Sequence, residues 1–396
     1  MRIAFVTNEY VTEPIFDGGL ANYIHRVCIS LNQLGHEPIV IVSSEKHEKI
    51  MHENVQVYRI NVSSRLINLF NKISIHRFHD SIQWLYWSYK LNKAVSFIHN
   101  EKPIDMIQHA DYTATGLFRP KNIPSITRIS YFLPLWRKAN EKNITIDAKI
   151  KGKLELISLK KADALICPSK KIAGIIEKNT GKIVSILRSP IFTEKVKLDR
   201  RLYDDLLNGK KYLLYFGRIE PLKGAYTIAN MINSLLNKYP ELLFVFVGKN
   251  NIYRDKKMMD IIWDKASSLR GRVLYLGRLP HEQLYPIIQN AYAVVLPSMI
   301  DNIPNTCLEA MAFRRIVIGT KNTSMDELIV DGLNGFLSEV DNSYDLLNKI
   351  EEALQLDEKE YKKLSKNAYF ESLKYSPQIV IPKLLKYYSN VIKSYS

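Results

Sequence analysis

Arg218 and Lys223 stand in LLYFGRIEPLKG, directly after an apolar run that ends at Gly217. Two cations where a strand hands over to a helix suit an anion. Backbone N–H groups and the positive end of a helix dipole gather at the same point. A lone arginine and lysine also occur in ordinary solvated turns, so these two gain meaning only from their neighbours. A second group lies in VVLPSMIDNIPNTCLEAMAF. Pro304 suits a helix start, and the N–H groups of Asn305, Thr306 and Cys307 would then be free to hold a phosphate. Glu309 lies further into that helix and Asp301 in the loop before it, while FVFVGKN ends another apolar run at Gly248. Taken singly, Asp301 or Asn302 reads equally well as a helix cap and Glu309 as a solvated helical residue.

Such residues need a scaffold, and the chain supplies a repetitive one. Its 396 residues suggest roughly two domains. RIAFVT, PIVIVSS, VQVYRI, DMIQH, SITRIS and ALICPS read as strands, and KIVSILRSP closes this first series near Pro190. GLANYIHRVCISLNQLG is helix-like, and a long helical region is expected over 63–100. A second series follows in YLLYFG, LLFVFVG, VLYLG, AVVLP and RIVIGT. These are runs of buried-parallel-strand length separated by helical patterns. The expected organisation is a first α/β domain over 1–190, a polar linker over 191–210 and a second α/β domain over 211–376. The amphipathic helix 377–396 is expected to join the first domain. Both domains should be doubly wound, with ligands at the carboxyl ends of their strands.

Composition narrows the class. The three cysteines, Cys28, Cys167 and Cys307, have neither a disulfide framework nor zinc-ligand spacing, which fits a reducing compartment such as the cytoplasm. The N-terminal apolar run is too short for a signal peptide, and no run is long enough to span a membrane. The net charge of +16 is uneven. Residues 119–188 carry 16 Lys and Arg against 5 Asp and Glu. Residues 65–93 add five cations among Phe70, Phe78, Trp84, Tyr86, Trp87 and Tyr89. A basic, aromatic-rich half points to an anionic membrane surface, with Trp84 and Trp87 as interfacial anchors, or to a Lys-rich composition with no target; nucleic acid fits less well.

The series YFGRIEPLKG, FVFVGKN, YLGRLP, VVLPSMIDNIPNTCLEAMA and DELIVDGLNGFL, running from Tyr215 to Leu337, resembles the retaining glycosyltransferases of family 4. DGGLANYIHRV after the first strand and ADALICPSK before Pro190 agree with that family, so the resemblance covers nearly the whole chain and is weakest over 60–105. It implies a GT-B fold, α/β, with two Rossmann-like doubly wound domains facing across a cleft. It also implies that Arg218 and Lys223 hold the donor's diphosphate and stabilise the leaving group without a metal. Glu309 matches the carboxylate that accepts hydrogen bonds from the donor ribose. Asn305 and Thr306 match the turn whose amides touch the donor. Asp301 stands where the family usually has Glu, one methylene longer. Gly217 and Gly248 match donor-loop glycines, and Gly18 and Gly19 the flexible glycine loop. His109 ends a strand where many members have a histidine near the reacting sugar. Arg128 ends the next strand, where the family often has His, and could meet an acceptor phosphate.

The function expected from the resemblance is metal-independent, retaining transfer of a hexose-type sugar. The donor would be a nucleotide sugar, UDP- or GDP-linked, with no further cofactor, and the acceptor a lipid-linked or surface glycan at the inner face of a membrane. A soluble acceptor such as a sugar phosphate is the alternative among enzymes. A non-catalytic glycan or nucleic-acid binder on the same scaffold is the alternative outside them. A nicotinamide-dependent dehydrogenase is disfavoured, since no G-x-G-x-x-G follows the first strand.

Overall fold

The computed structural model describes residues 1–14, 19–63, 78–139, 145–191 and 196–395. The chain divides into two compact units, Met1–Pro190 with Pro377–Ser396, and Ile191–Ser376.

The first unit is built on eight strands. They are β1 (Arg2–Thr7), β2 (Glu37–Ser44), β3 (Glu48–His52), β4 (Val55–Asn61), β5 (Met106–Ala110), β6 (Ser125–Arg128), β7 (Ala164–Cys167) and β8 (Val184–Ile186). Their order is β3-β4-β2-β1-β5-β6-β7-β8, and every pair is parallel except β3 with β4. β1 is apolar from Ile3 to Val6 because both its faces are covered: Ile3 and Phe5 enter one core cluster, Ala4 and Val6 the other. The chain leaves β1 toward β2 on one side and later sets β5 on the other, which makes a topological switch point at the end of β1. The antiparallel β3 was not expected. It is a short polar edge strand, joined to β4 through Glu53 and Asn54, both at positive φ.

The helix His79–Glu101 buries Trp84, Ser88, Leu91, Val95 and Ile98 along one stripe. It realises only part of the helical region expected over 63–100, and residues 64–77 lie outside the described residues. Trp84 is not an interfacial anchor. It packs with Ala114 and Leu133, and the Lys151 ammonium lies 5.5 Å from its ring. The helix Pro377–Tyr395 returns to this unit, setting Ile381, Leu384, Tyr388 and Val391 in one cluster with Ile3, Phe5, Ile24 and Val27. The Tyr388 hydroxyl donates to the Gln108 amide oxygen on β5.

In the second unit β9 (Tyr212–Phe216), β10 (Leu243–Val247), β13 (Val273–Tyr275), β14 (Ala293–Val295), β15 (Ile316–Thr320) and β16 (Phe336–Ser338) form a wholly parallel sheet. Their order is β13-β10-β9-β14-β15-β16, and a small antiparallel pair, β11 (Ile252–Tyr253) and β12 (Lys256–Lys257), lies apart from it. β9 alternates its side chains between two cores: Tyr212, Leu214 and Phe216 on one face, Leu213 and Tyr215 on the other. The switch point here falls between β9 and β14. The stretch read as a linker over 191–210 does more than connect. Tyr203 and Leu207 are buried in this unit's core, and the Asp199 N–H donates to the Glu282 carbonyl at 2.9 Å. Among the described residues no helix is long and apolar enough to cross a membrane.

Candidate active site

The loops after β9, β10 and β14 crowd together at the switch point of the second unit, and glycine permits the crowding. A Cβ on Gly248 would lie 1.8 Å from the Gly217 carbonyl oxygen, and one on Gly224 would lie 2.0 Å from that of Pro297. Both glycines also sit at positive φ, 138° and 76°. The methyl of Thr306 lies 3.8 Å from the position a Cβ on Gly217 would take, so the start of the helix Asn305–Ala312 borders the end of β9.

Two residues singled out from the sequence meet directly here. Lys223 Nζ and Asp301 Oδ2 are 2.6 Å apart, with both side chains largely but not wholly buried. Asp301 also accepts the Asn302 N–H at 3.0 Å. Arg218 is more open, with 37% of its side chain exposed, and its guanidinium lies 3.4 Å from Glu220. Glu220 was not anticipated as part of the site. Its other oxygen accepts from Asn251 at 2.7 Å, which ties the β9 loop to the β10 loop. The Tyr215 hydroxyl donates to the Arg218 carbonyl at 2.6 Å and fixes the backbone from which that guanidinium extends. Burial pushes the Tyr215 phenol well up, so it remains a donor.

The helix Asn305–Ala312 starts at Pro304 with no side-chain cap. The Cys307 N–H donates to the Pro304 carbonyl at 3.2 Å, so it is not free to hold a phosphate as expected. Only the N–H groups of Asn305 and Thr306 remain for an anion among the three. Glu309 is buried on the next turn of the helix. The Cys307 thiol is buried beneath the loop and is pushed up by burial, with the Asp301 charge adding to the effect, so it stays protonated and inert.

The first unit treats its polar residues differently. Gly18 lies outside the described residues; Gly19 opens the helix Gly19–Gln33 with nothing within 4 Å of a Cβ placed on it. His109 is fully enclosed, and neither ring nitrogen has a hydrogen-bond partner among the described residues. A Cβ on Gly116 would lie 3.3 Å from its ring and 3.2 Å from Ser158 Oγ, so Gly116 packs against one side of the imidazole. Burial, with Arg119 adding to it, lowers the His109 pKa to about 3 and keeps the ring neutral. Arg128 is also buried. Its guanidinium stacks 3.6 Å from the Tyr23 ring centroid and donates to Ser189 Oγ at 2.7 Å, while Nε and Nη1 have no hydrogen-bond partner among the described residues.

Between these two residues in sequence lies one that sequence reading passed over. Asp111 accepts the N–H groups of Tyr112 at 2.9 Å and of Ser130 and Tyr131 at 3.0 Å each. Burial raises its pKa to about 7, against the pull of those three N–H groups and of Arg128. The turn it anchors contains Thr113 and Ala114 at φ of 63° and 54°. Glu155 was missed as well. It is buried, accepts the Leu133 N–H at 2.9 Å, and is pushed well up by burial and by Asp111. The available signal was the stripe Ala148, Lys151, Glu155, Ser158 and Leu159 on one side of the helix Ile146–Lys161, all buried despite a polar composition.

Comparison with known proteins agrees with the architecture. The model of "Glycosyl transferases group 1" matches residues 204–370, and that of "Glycosyltransferase Family 4" matches residues 17–188. An N,N'-diacetylbacillosaminyl-diphospho-undecaprenol alpha-1,3-N-acetylgalactosaminyltransferase of Campylobacter jejuni is 29% identical over 52% of this chain and 51% of its own length. The chain spans about half the length of the curated relatives it matches. Among solved structures, a sucrose-phosphate synthase of Thermosynechococcus elongatus superposes with a TM-score of 0.78 at 15% identity, covering 99% of this chain and 100% of that one. HepE of Anabaena, solved with UDP and glucose, superposes with a TM-score of 0.74 at 15% identity, covering 98% and 99%. Two α/β units of parallel sheet, each matched by its own model of one family, lead to a single assignment: the chain belongs to the family 4-like GT-B glycosyltransferases.

Proposed function

We propose that this chain is a retaining glycosyltransferase. It moves a hexose-type sugar from a nucleoside-diphosphate donor, UDP- or GDP-linked, to a hydroxyl of a lipid-linked or surface glycan in the cytoplasm. The observation that carries the reading is the loop cluster at the β9/β14 switch point. There an open Arg218, the Lys223–Asp301 pair and the N–H groups of Asn305 and Thr306 border one another. An arriving diphosphate competes with Asp301 for Lys223 and with Glu220 for Arg218. Both cations then stabilise the charge that grows on the leaving group. Asp301, released from the lysine, accepts from donor-sugar hydroxyls, and Glu309 accepts from the ribose. Attack on the same face as the departing phosphate lets that phosphate take the acceptor proton, so no protein nucleophile is required. The relative that acts on a diphospho-undecaprenol acceptor and the neighbour solved with UDP both support this choice of substrates.

The reading is tested with a panel of UDP- and GDP-sugars against diphospho-undecaprenol glycans, following the anomeric proton of the product by NMR. An α-product from an α-donor, formed at an unchanged rate in excess chelator, is expected. An inverted product, or turnover lost on chelation and restored by manganese, would overturn it.

A membrane-surface acceptor is favoured by a second observation. With Trp84 in the core, Tyr89, Phe97 and Phe118 remain exposed, with Lys93 beside them in sequence and Lys161 over the Phe118 ring at 5.9 Å. Aromatic side chains among lysines suit an anionic lipid interface. Co-sedimentation with anionic but not neutral vesicles is expected, weakened by Phe97→Ala with Phe118→Ala. Indifference to anionic vesicles at low salt would favour the soluble acceptor.

A further inference from the structure

Three potential metal-binding side chains converge in the first unit, none of them a residue assigned to the transfer reaction. His25 projects from the helix Gly19–Gln33, His52 ends β3, and Glu53 occupies the turn into β4. Their ligand atoms all lie within 4.8 Å of one another. His25 Nε2 is 3.6 Å from Glu53 Oε2, and His52 Nε2 is 3.9 Å from Glu53 Oε1. Ligands bound at about 2.0–2.1 Å around a tetrahedral zinc are separated by roughly 3.3 Å, so small side-chain rotations close the set. The two imidazoles lie side by side, with ring centroids 5.4 Å apart.

The surroundings orient these groups as a metal site requires. The Tyr10 hydroxyl lies 3.2 Å from His25 Nδ1 and holds the ring with Nε2 toward Glu53. Tyr10 is wholly buried, so its hydroxyl is held in place behind the His25 ring. Asn32 donates to the Asn54 carbonyl at 3.0 Å and holds the turn against the helix. Glu53 stands at φ of 46° as the first residue of the two-residue β3–β4 turn, and its two carboxylate oxygens face one imidazole each.

We propose that His25, His52 and Glu53 form a binding site for zinc. Two imidazoles and one carboxylate are the donor set that zinc takes with a fourth position left to water. Magnesium and calcium prefer all-oxygen sites, so they are excluded by ligand type. The bound ion joins the first helix of the unit to the β3–β4 hairpin. Its role is to brace that edge rather than to take part in sugar transfer.

The test uses the full chain, stripped with chelator and dialysed. Zinc binding is measured by isothermal titration and by metal analysis after gel filtration, with magnesium in parallel. One zinc per chain is expected, no binding of magnesium, and a rise in Tm of roughly 5–10 °C at a hundredfold excess over Kd. His52→Ala, at the more exposed of the two histidines, should keep the fold by circular dichroism and lose the zinc-dependent shift. Glu53→Gln should weaken binding at least tenfold. Failure of the wild-type chain to retain zinc, or retention by His52→Ala equal to wild type, would overturn the proposal. Unchanged glycosyl transfer by His52→Ala is expected; loss of transfer from a folded His52→Ala protein would overturn the bracing role.

Discussion

Lys223 and Asp301 meet at 2.6 Å in a loop cluster that keeps some exposure to solvent, whereas Asp111 and Arg128 lie in the first unit with 2% and 4% of their surfaces exposed. A partly exposed pair costs little to open and re-form around an arriving anion. A buried one cannot change partners without leaving a desolvated charge behind. The second unit therefore holds charges that can be handed to a ligand. The first holds charges whose partners are backbone N–H groups and a tyrosine face, so they fix the geometry of turns. On the proposed function, the same residue types serve exchange in one unit and scaffolding in the other.

Substitutions should separate these uses. The largest effect is expected from Arg218→Ala and Lys223→Ala, each lowering kcat by about two to three orders of magnitude, as removal of a leaving-group stabiliser does. The thermal midpoint should move little, since neither side chain is in the core. Steady-state kinetics beside a thermal melt checks both halves, and a variant that simply unfolds would erase the contrast between the units.

Next comes Asp111→Ala, which strips the acceptor from three backbone N–H groups and should cost about 3 kcal/mol in urea unfolding. Asp111→Asn, which keeps one acceptor oxygen, should recover roughly half of that loss. A neutral Asp111→Ala protein would mean that the strained turn at Thr113 and Ala114 holds without it.

The smallest effect belongs to His109 and depends on pH. Its folded pKa of about 3 lies below the ordinary value of 6.5. Between those limits the unfolded chain binds a proton that the folded chain refuses, so stability falls as pH drops below 6.5. At pH 5 the loss is about 2 kcal/mol. Asp111, raised to about 7, works the other way and destabilises as pH climbs from about 4 toward 7, so only a difference isolates the histidine. The stability of wild type minus that of His109→Met should rise with pH between 5 and 7 and then level off. A flat difference would mean that the imidazole is hydrated and titrates normally.

The loops of the second unit were legible because apolar runs end at glycine and chemistry begins at the next residue, as at Gly217 and Arg218. The pairing of Lys223 with Asp301 was not, since 78 residues separate them and only the sheet order brings them together. Trp84 was misjudged from its residue type. The spacing of Trp84, Ser88, Leu91, Val95 and Ile98 marks the inward face of their helix, and basic neighbours obscured it. Glu155 and Asp111 escaped for a related reason: sequence gives no direct sign that a carboxylate is buried when its partners are backbone N–H groups. The edge strand β3 was too short and polar to stand out.

The return of the helix Pro377–Tyr395 to the first unit has a consequence for the order of events during translation. Every strand of that unit has been synthesised by Pro190, yet Tyr388, which donates to Gln108, lies 280 residues beyond Gln108 in the chain. Meanwhile the contiguous stretch Ile191–Ser376 has all it needs to close. The nascent first unit must wait with the apolar strip that Ile381, Leu384 and Val391 will cover still open, which leaves it more exposed to aggregation than the second. A stop codon after Ser376 would prolong that wait indefinitely, and would be felt in yield well before it was felt in chemistry.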